Sequence, residues 1–152
     1  MKKEQKIRLV IVGIAILCAI AFIWSNSIDS QAESSAKSSA VTELIKPLLE
    51  LFVGKGHVTE HLVRKLAHFA EFALLGALLA VWLLVRRVWT WRGVLWSLLL
   101  SFAVASVDET IQIFTGRGPM MRDVLLDFSG VCFSVGCVWL AVLITEGIRG
   151  HD

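Results

Sequence analysis

The sequence predicts an all-α integral membrane protein: a bundle of four transmembrane helices, with a short amphipathic helix in the loop between the first two. Hydrophobic residues make up 56% of the 152 residues, above the roughly 45–50% that is usual in soluble domains. Four stretches approach the ~20 mostly apolar residues that a helix needs to cross a bilayer. Ionisable residues interrupt the last three stretches, in each case near one end.

The four predicted spans cover about residues 7–24, 62–85, 93–114 and 123–145, and residues 1–152 form a single domain. The first span has the basic start and apolar core of a signal peptide. Its core is longer than the about 7–15 apolar residues of such peptides, and the best small-residue cleavage site, at residues 30–32, lies well past its end. We therefore expect an uncleaved membrane anchor.

Lysine and arginine are unevenly distributed among the connecting segments. Four lie in the first eight residues, and three lie in the loop at 86–92, which contains no acid. Because short cytoplasmic loops are rich in basic residues, both termini and the 86–92 loop are expected to be cytoplasmic. The loop at 25–61 then lies on the outer side, as does the turn between the last two spans.

The outer loop at 25–61 changes character along its length. It is rich in serine at first, and apolar residues then recur at helical spacing. This pattern predicts a short helix lying on the outer membrane interface. The apolar residues that form it are Val41, Leu44, Ile45, Leu48, Leu49 and Phe52.

Polar residues of the last three spans fall near the outer ends and share helix faces. Arg64, His68 and Glu71 are spaced i, i+4, i+7 on the second span, and Asp108 and Gln112 are spaced i, i+4 on the third. Each face can point into the bundle. The remaining charged residues at this end are Lys65, Glu109, Arg117, Arg122, Asp123 and Asp127.

The fourth span places Asp123 and Asp127 on one face with Gly130 and Ser134. Small residues four apart let two membrane helices approach closely, so this face is expected to pack against a neighbouring helix. A charge in hydrocarbon costs about 2.5–3.5 kcal/mol on insertion scales. The acids are therefore expected to pair with the arginines or to line a wet cavity.

These residues, in this order, resemble the VanZ-like family. The matching segments are RKLAHFAEF at 64–72, DETIQIF at 108–114 with Gly116-Arg117-Gly118, and RDVLLD at 122–127 with Gly130. The resemblance extends from about residue 22 to residue 136. This sequence departs from the family pattern at two positions. Phe72 stands where the family often has tyrosine, and Asn26 interrupts a pair of serines after the first span.

The resemblance implies a multi-pass protein of the bacterial cell membrane and, for the founding member, low-level resistance to the lipoglycopeptide teicoplanin. It implies no reaction mechanism. The expected partners are membrane lipids, together with a lipid-linked envelope precursor or a lipoglycopeptide whose polar head group enters the outer site. The predicted ligand-binding residues are Arg64, His68, Glu71, Asp108, Glu109, Gln112, Arg117, Arg122, Asp123 and Asp127.

Two alternatives remain for the same residues. A membrane-embedded enzyme acting on a lipid-linked envelope substrate would use them as acid and base, with the candidates His68, Glu71, Asp108, Glu109, Asp123 and Asp127. A purely structural ion-pair network would lock the helices and do no chemistry. An ion pathway is disfavoured because the inner halves of the spans are apolar.

Metal, cofactor and nucleic-acid binding are expected to be absent. His57 and His61 fit the H-x-x-E-H pattern of some zinc proteases, but three fixed letters recur easily by chance, and we treat them as weak zinc candidates. A metal site built from His68, Glu71 and the aspartates is chemically possible. No basic patch interleaved with aromatic residues indicates nucleic-acid binding.

Overall fold

The computed structural model describes residues 2–116 and 121–149 of the chain. Its five helices are α1 (Lys3–Ile28), α2 (Gln31–Val53), α3 (Glu60–Arg86), α4 (Trp91–Phe114) and α5 (Met121–Arg149). Within the described residues, four helices are long and apolar enough to cross a membrane, namely α1, α3, α4 and the part of α5 at Arg122–Thr145. The four predicted spans are thus confirmed as helices.

Helix α3 is the centre of the bundle. It packs most extensively on α5 and also contacts α1, α4 and α2. Phe72 and Leu75 on α3 are fully buried, together with Ala105 on α4 and Val131 on α5. The outward-facing side chains are largely apolar, as lipid-facing surfaces require; examples are Ile11, Leu17, Trp96 and Leu140.

The contact between α3 and α5 depends on small residues. A Cβ added to Gly76 would meet the Ser134 hydroxyl, and it would lie 2.9 Å from Cα of Val131. A Cβ added to Gly130 would meet the backbone carbonyl oxygen of Phe69 and would lie 3.1 Å from the nitrogen of Ala73. The close approach predicted from Gly130 and Ser134 is confirmed, and the neighbouring helix is α3.

Helix α2 is longer than the sequence pattern predicts. The apolar spacing predicts a helix around 41–52, whereas α2 begins at Gln31 and contains 23 residues. The reason is a capping box: the Ser30 hydroxyl accepts a hydrogen bond from the Glu33 backbone N–H, and the Glu33 carboxylate accepts one from the Ser30 N–H. The serine-rich segment therefore joins the helix.

The same cap is sensitive to pH. Hydrogen bonds from the Ser30 side chain and backbone lower the pKa of Glu33. The charged carboxylate therefore stabilises the start of α2, and this contribution is lost as the pH falls through the lowered pKa.

Replacing Gly130 by alanine should destabilise the bundle by about 1–3 kcal/mol, because the new methyl group meets backbone atoms of α3 that cannot rotate away. Gly136→Ala is the matched control on the same helix, since nothing lies within 4 Å of its added Cβ. It should change the free energy of unfolding by no more than about 0.5 kcal/mol. Unfolding in mixed micelles measures both, and equal effects of the two changes would contradict the α3–α5 contact.

Candidate functional site

A polar cluster lies at one end of the bundle, where the C-terminal ends of α1 and α4 meet the N-terminal parts of α3 and α5. Ser27 on α1 contacts Asp108 on α4, and His68 on α3 lies near Asp108 and Asp127 on α5. Four helices distant in sequence thus contribute to one site. We define the polar cluster as Asn26, Ser27, His68, Glu71, Asp108, Glu109, Gln112 and Asp127.

Asp108 is at the centre of this cluster and is fully buried. The Ser27 hydroxyl donates a hydrogen bond of 2.6 Å to its Oδ1, and the Gln112 amide donates one of 2.8 Å to its Oδ2. The Gln112 amide also lies 3.4 Å from the Ser27 hydroxyl oxygen. Because a buried carboxylate is costly without such donors, these hydrogen bonds connect α1 to α4 through Asp108.

His68 faces two buried aspartates. Its Nδ1 lies 3.8 Å from Oδ1 of Asp127 and 4.0 Å from Oδ2 of Asp108. One potential metal-ligand atom from each of the three residues lies within 4.8 Å of the other two. Helical spacing predicted that the polar faces of α3, α4 and α5 can point into the bundle. In the structure these three faces converge.

Glu71 lies one helical turn from His68 and faces α1. The Asn26 amide donates a hydrogen bond of 2.9 Å to Oε1 of Glu71. The other carboxylate oxygen, Oε2, is buried and accepts no hydrogen bond from the described part of the chain. Glu109 is also buried, on the same end of α4 as Asp108.

A cavity of about 190 Å³ opens beside Glu71 and His68, between the end of α1, the first half of α2 and the start of α3. Arg64 on α3 and Lys37 on α2 are the basic residues of its wall. Lys37 pairs with Asp29 at 2.6 Å. The other residues that line the cavity are Asn26, Ser34, Ser38, Val41, Val63 and Ala67.

Within the described residues, the charge pairing differs from the expectation that arginines neutralise the acids. Lys65 lies 3.1 Å from Asp123 and forms an ion pair between α3 and α5. Arg64 lies in the cavity wall with no acid within ion-pair distance in the described ranges, and Arg122 is exposed at the start of α5. Lysine reaches Asp123 because the two positions face each other across α3 and α5. Arg117 lies outside the described residues.

The two weak zinc candidates are not part of the polar cluster. Helix α3 begins at Glu60, so His57 lies before the helix while His61 lies in its first turn. Both side chains are exposed. The pattern needs two histidines one turn apart on a single helix, and this geometry is not formed.

Sequence reasoning did not include Asn26 and Ser27 among the site residues. They end the first apolar span, where small polar residues are easily taken for a turn. A usable signal was present, because both lie at the same depth as the acids of α3 and α4 once the spans are aligned. Ser27 is fully buried and bonds Asp108 directly.

Ser27→Ala should lower the free energy of unfolding by about 1–2 kcal/mol, because a buried carboxylate then loses a short hydrogen bond. Ser129→Ala is the matched control, since the exposed Ser129 hydroxyl bonds a carbonyl of its own helix. Ser129→Ala should change the free energy of unfolding by no more than about 0.5 kcal/mol. Denaturation in detergent measures both variants, and a neutral Ser27→Ala would argue against Asp108 as the centre of the cluster.

Comparison with known proteins identifies the family. Searches of curated proteins and of solved structures find no significant match. A family model described as VanZ/LLP1 matches residues 10–143, which include every residue of the polar cluster. Family membership suggests a function of the teicoplanin-resistance type. With most of its length covered by this match and four helices able to cross a membrane, the chain belongs to the VanZ-like family of multi-pass membrane proteins.

Proposed function

We propose that this protein binds the polar head group of an envelope lipid or a lipoglycopeptide at the outer face of the membrane, and that this binding underlies a low-level, teicoplanin-type resistance. The observation that carries the proposal is the cavity beside Glu71 and His68. It lies at the same end as the polar cluster, between α1, α2 and α3.

The size of the cavity limits what can enter it. Its 190 Å³ is smaller than the about 300–1,000 Å³ of sites that enclose a whole drug-sized ligand. A complete glycopeptide is excluded. A single small head group fits, while the rest of an amphiphile stays in the membrane.

The charges of the wall favour a zwitterionic group. Arg64 offers planar N–H donors suited to a phosphate or carboxylate. Glu71 lines the same cavity, and its carboxylate suits an amine. A head group bearing both charges is therefore matched on both sides.

The surface of α2 supports a location beside lipid tails. Its outward side chains are large and apolar, with Leu44, Leu51 and Phe52 each about four-fifths exposed (79%, 80% and 82%). Ser34 and Thr42 are instead buried. We infer that α2 lies on the outer interface and covers the cavity, with acyl chains packed against its apolar side. Teicoplanin carries an acyl chain that vancomycin lacks. A site beside the acyl chains of the membrane would therefore distinguish the two antibiotics.

Sidedness is part of the proposal. The end of the bundle opposite the polar cluster is basic, with Arg8 near Arg87 and the Gln5 amide bonded to the Val85 carbonyl oxygen. Since basic ends stay cytoplasmic, the polar cluster is extracytoplasmic.

Cysteine labelling tests this orientation. In a background with Cys18, Cys132 and Cys137 replaced, a cysteine at exposed Lys55 in the α2–α3 loop should react with a membrane-impermeant maleimide in intact cells. A cysteine at exposed Thr90, in the α3–α4 turn, should react only after the cells are opened. The reverse pattern would put the polar cluster on the cytoplasmic side and overturn the proposal.

Arg64→Gln and Glu71→Gln test the head-group site. Each should weaken lipid retention by about ten- to a hundredfold, the factor expected for one lost charge-assisted hydrogen bond of about 1.5–3 kcal/mol. Native mass spectrometry of the purified protein measures retained lipid, and susceptibility to teicoplanin against vancomycin measures the phenotype. Lys46→Gln, on the exposed side of α2 and away from the cavity, is the control.

The outcomes separate a binding site from a packing network. Normal membrane accumulation with loss of bound lipid and of teicoplanin tolerance supports the site. Equal lipid retention in Arg64→Gln, Glu71→Gln and Lys46→Gln would contradict it.

A further inference from the structure

We propose that His68, Asp108 and Asp127 form a binding site for a divalent transition-metal ion, with zinc the best chemical fit. The residues come from α3, α4 and α5 and meet inside the bundle. The inference is independent of the head-group proposal, because metal binding is measured without any lipid or antibiotic.

The first support is the geometry of the three ligands. One potential ligand atom of each residue lies within 4.8 Å of the other two, and the separations from Nδ1 of His68 are 3.8 and 4.0 Å. Three ligands at zinc bond lengths of about 2.0–2.2 Å in a tetrahedral arrangement are roughly 3.3–3.6 Å apart. The two separations from His68 exceed this range by about half an ångström, and the two aspartates, within 4.8 Å of each other, need to approach by at most about 1.5 Å.

Asp127 gives a second, independent support. It is only 2% exposed, and its Oδ1, the atom directed at His68, accepts no hydrogen bond within the described residues. A buried carboxylate oxygen without a donor is costly. A metal ion at this point satisfies it and offsets the charge of two carboxylates at once.

The surroundings of Asp108 resemble the outer shell of a metal site. Ligating carboxylates are commonly held by further hydrogen bonds that fix their orientation. Ser27 and Gln112 hold Asp108 in this way, from α1 and from one turn further along α4. Ser27 holds Oδ1, and Gln112 holds Oδ2, the oxygen that lies nearest His68.

The mixture of ligands selects the ion. Calcium and magnesium prefer oxygen ligands alone, whereas an imidazole combined with carboxylates suits zinc and neighbouring transition metals. Three protein ligands leave one position of a tetrahedral ion for an exogenous ligand. His68 also lines the 190 Å³ cavity, so the ion would lie next to it.

Metal analysis of the full-length protein tests the site. The protein is purified without a polyhistidine tag, stripped with a chelator, dialysed against Zn²⁺ alone and analysed by mass spectrometry of the metal. We expect about one zinc per chain in the wild type, and at least a tenfold weaker affinity in His68→Gln and Asp127→Asn. A folded wild type without stoichiometric zinc would overturn the proposal.

The exposed histidines provide the matched control. A double variant, His57→Gln with His61→Gln, removes the surface pair and should retain one zinc per chain with unchanged affinity. Loss of zinc in this double variant, with normal binding in folded Asp127→Asn, would assign the metal to the surface and contradict the proposal.

A spectroscopic measurement covers the case in which the buried variants do not fold. X-ray absorption of zinc in the double variant should show a first shell of one imidazole nitrogen with oxygen ligands. A shell with no imidazole, or with sulfur ligands from a cysteine, would overturn the assignment.

Discussion

A buried carboxyl group inside a membrane-spanning bundle needs hydrogen-bond partners from its neighbours, and Asp108 imposes this requirement on the whole polar end of the protein. Its two oxygens accept hydrogen bonds from Ser27 and Gln112, so the end of α1 is held against α4. The small residues of α5 allow it to approach α3 closely, and this contact brings Asp127 opposite His68. The position of each polar group therefore depends on contacts between helices that are far apart in sequence.

The cluster has features that a purely structural lock would lack. A network whose role is packing is most stable when every buried polar atom is satisfied. Here Glu71 and Asp127 each keep a buried oxygen that accepts no hydrogen bond within the described ranges. Arg64 lines a cavity and pairs with no acid of the described chain. On the proposed function, a ligand in the cavity beside Glu71 and Arg64 supplies partners to both side chains.

The sequence predicted the four spans well, because hydropathy reports directly on the length of apolar helix a bilayer needs. It also predicted that His68, Asp108 and Asp127 converge, since helical spacing places each on an inward face once the spans are aligned. It did not predict the early start of α2, which depends on the local Ser30–Glu33 cap. Nor did it predict the partners Asn26, Ser27 and Lys65, because pairing across helices depends on their rotation and depth, which periodicity within one helix does not encode.

An experimental structure of the full-length protein in lipid nanodiscs tests the central claim, that the outer polar end is a binding site, most directly. We expect non-protein density in the cavity between α1, α2 and α3, in contact with Arg64 and Glu71. A collapsed cavity in which Arg64 and Glu71 pair directly, with no density between them, would contradict the account and make the cluster a structural lock.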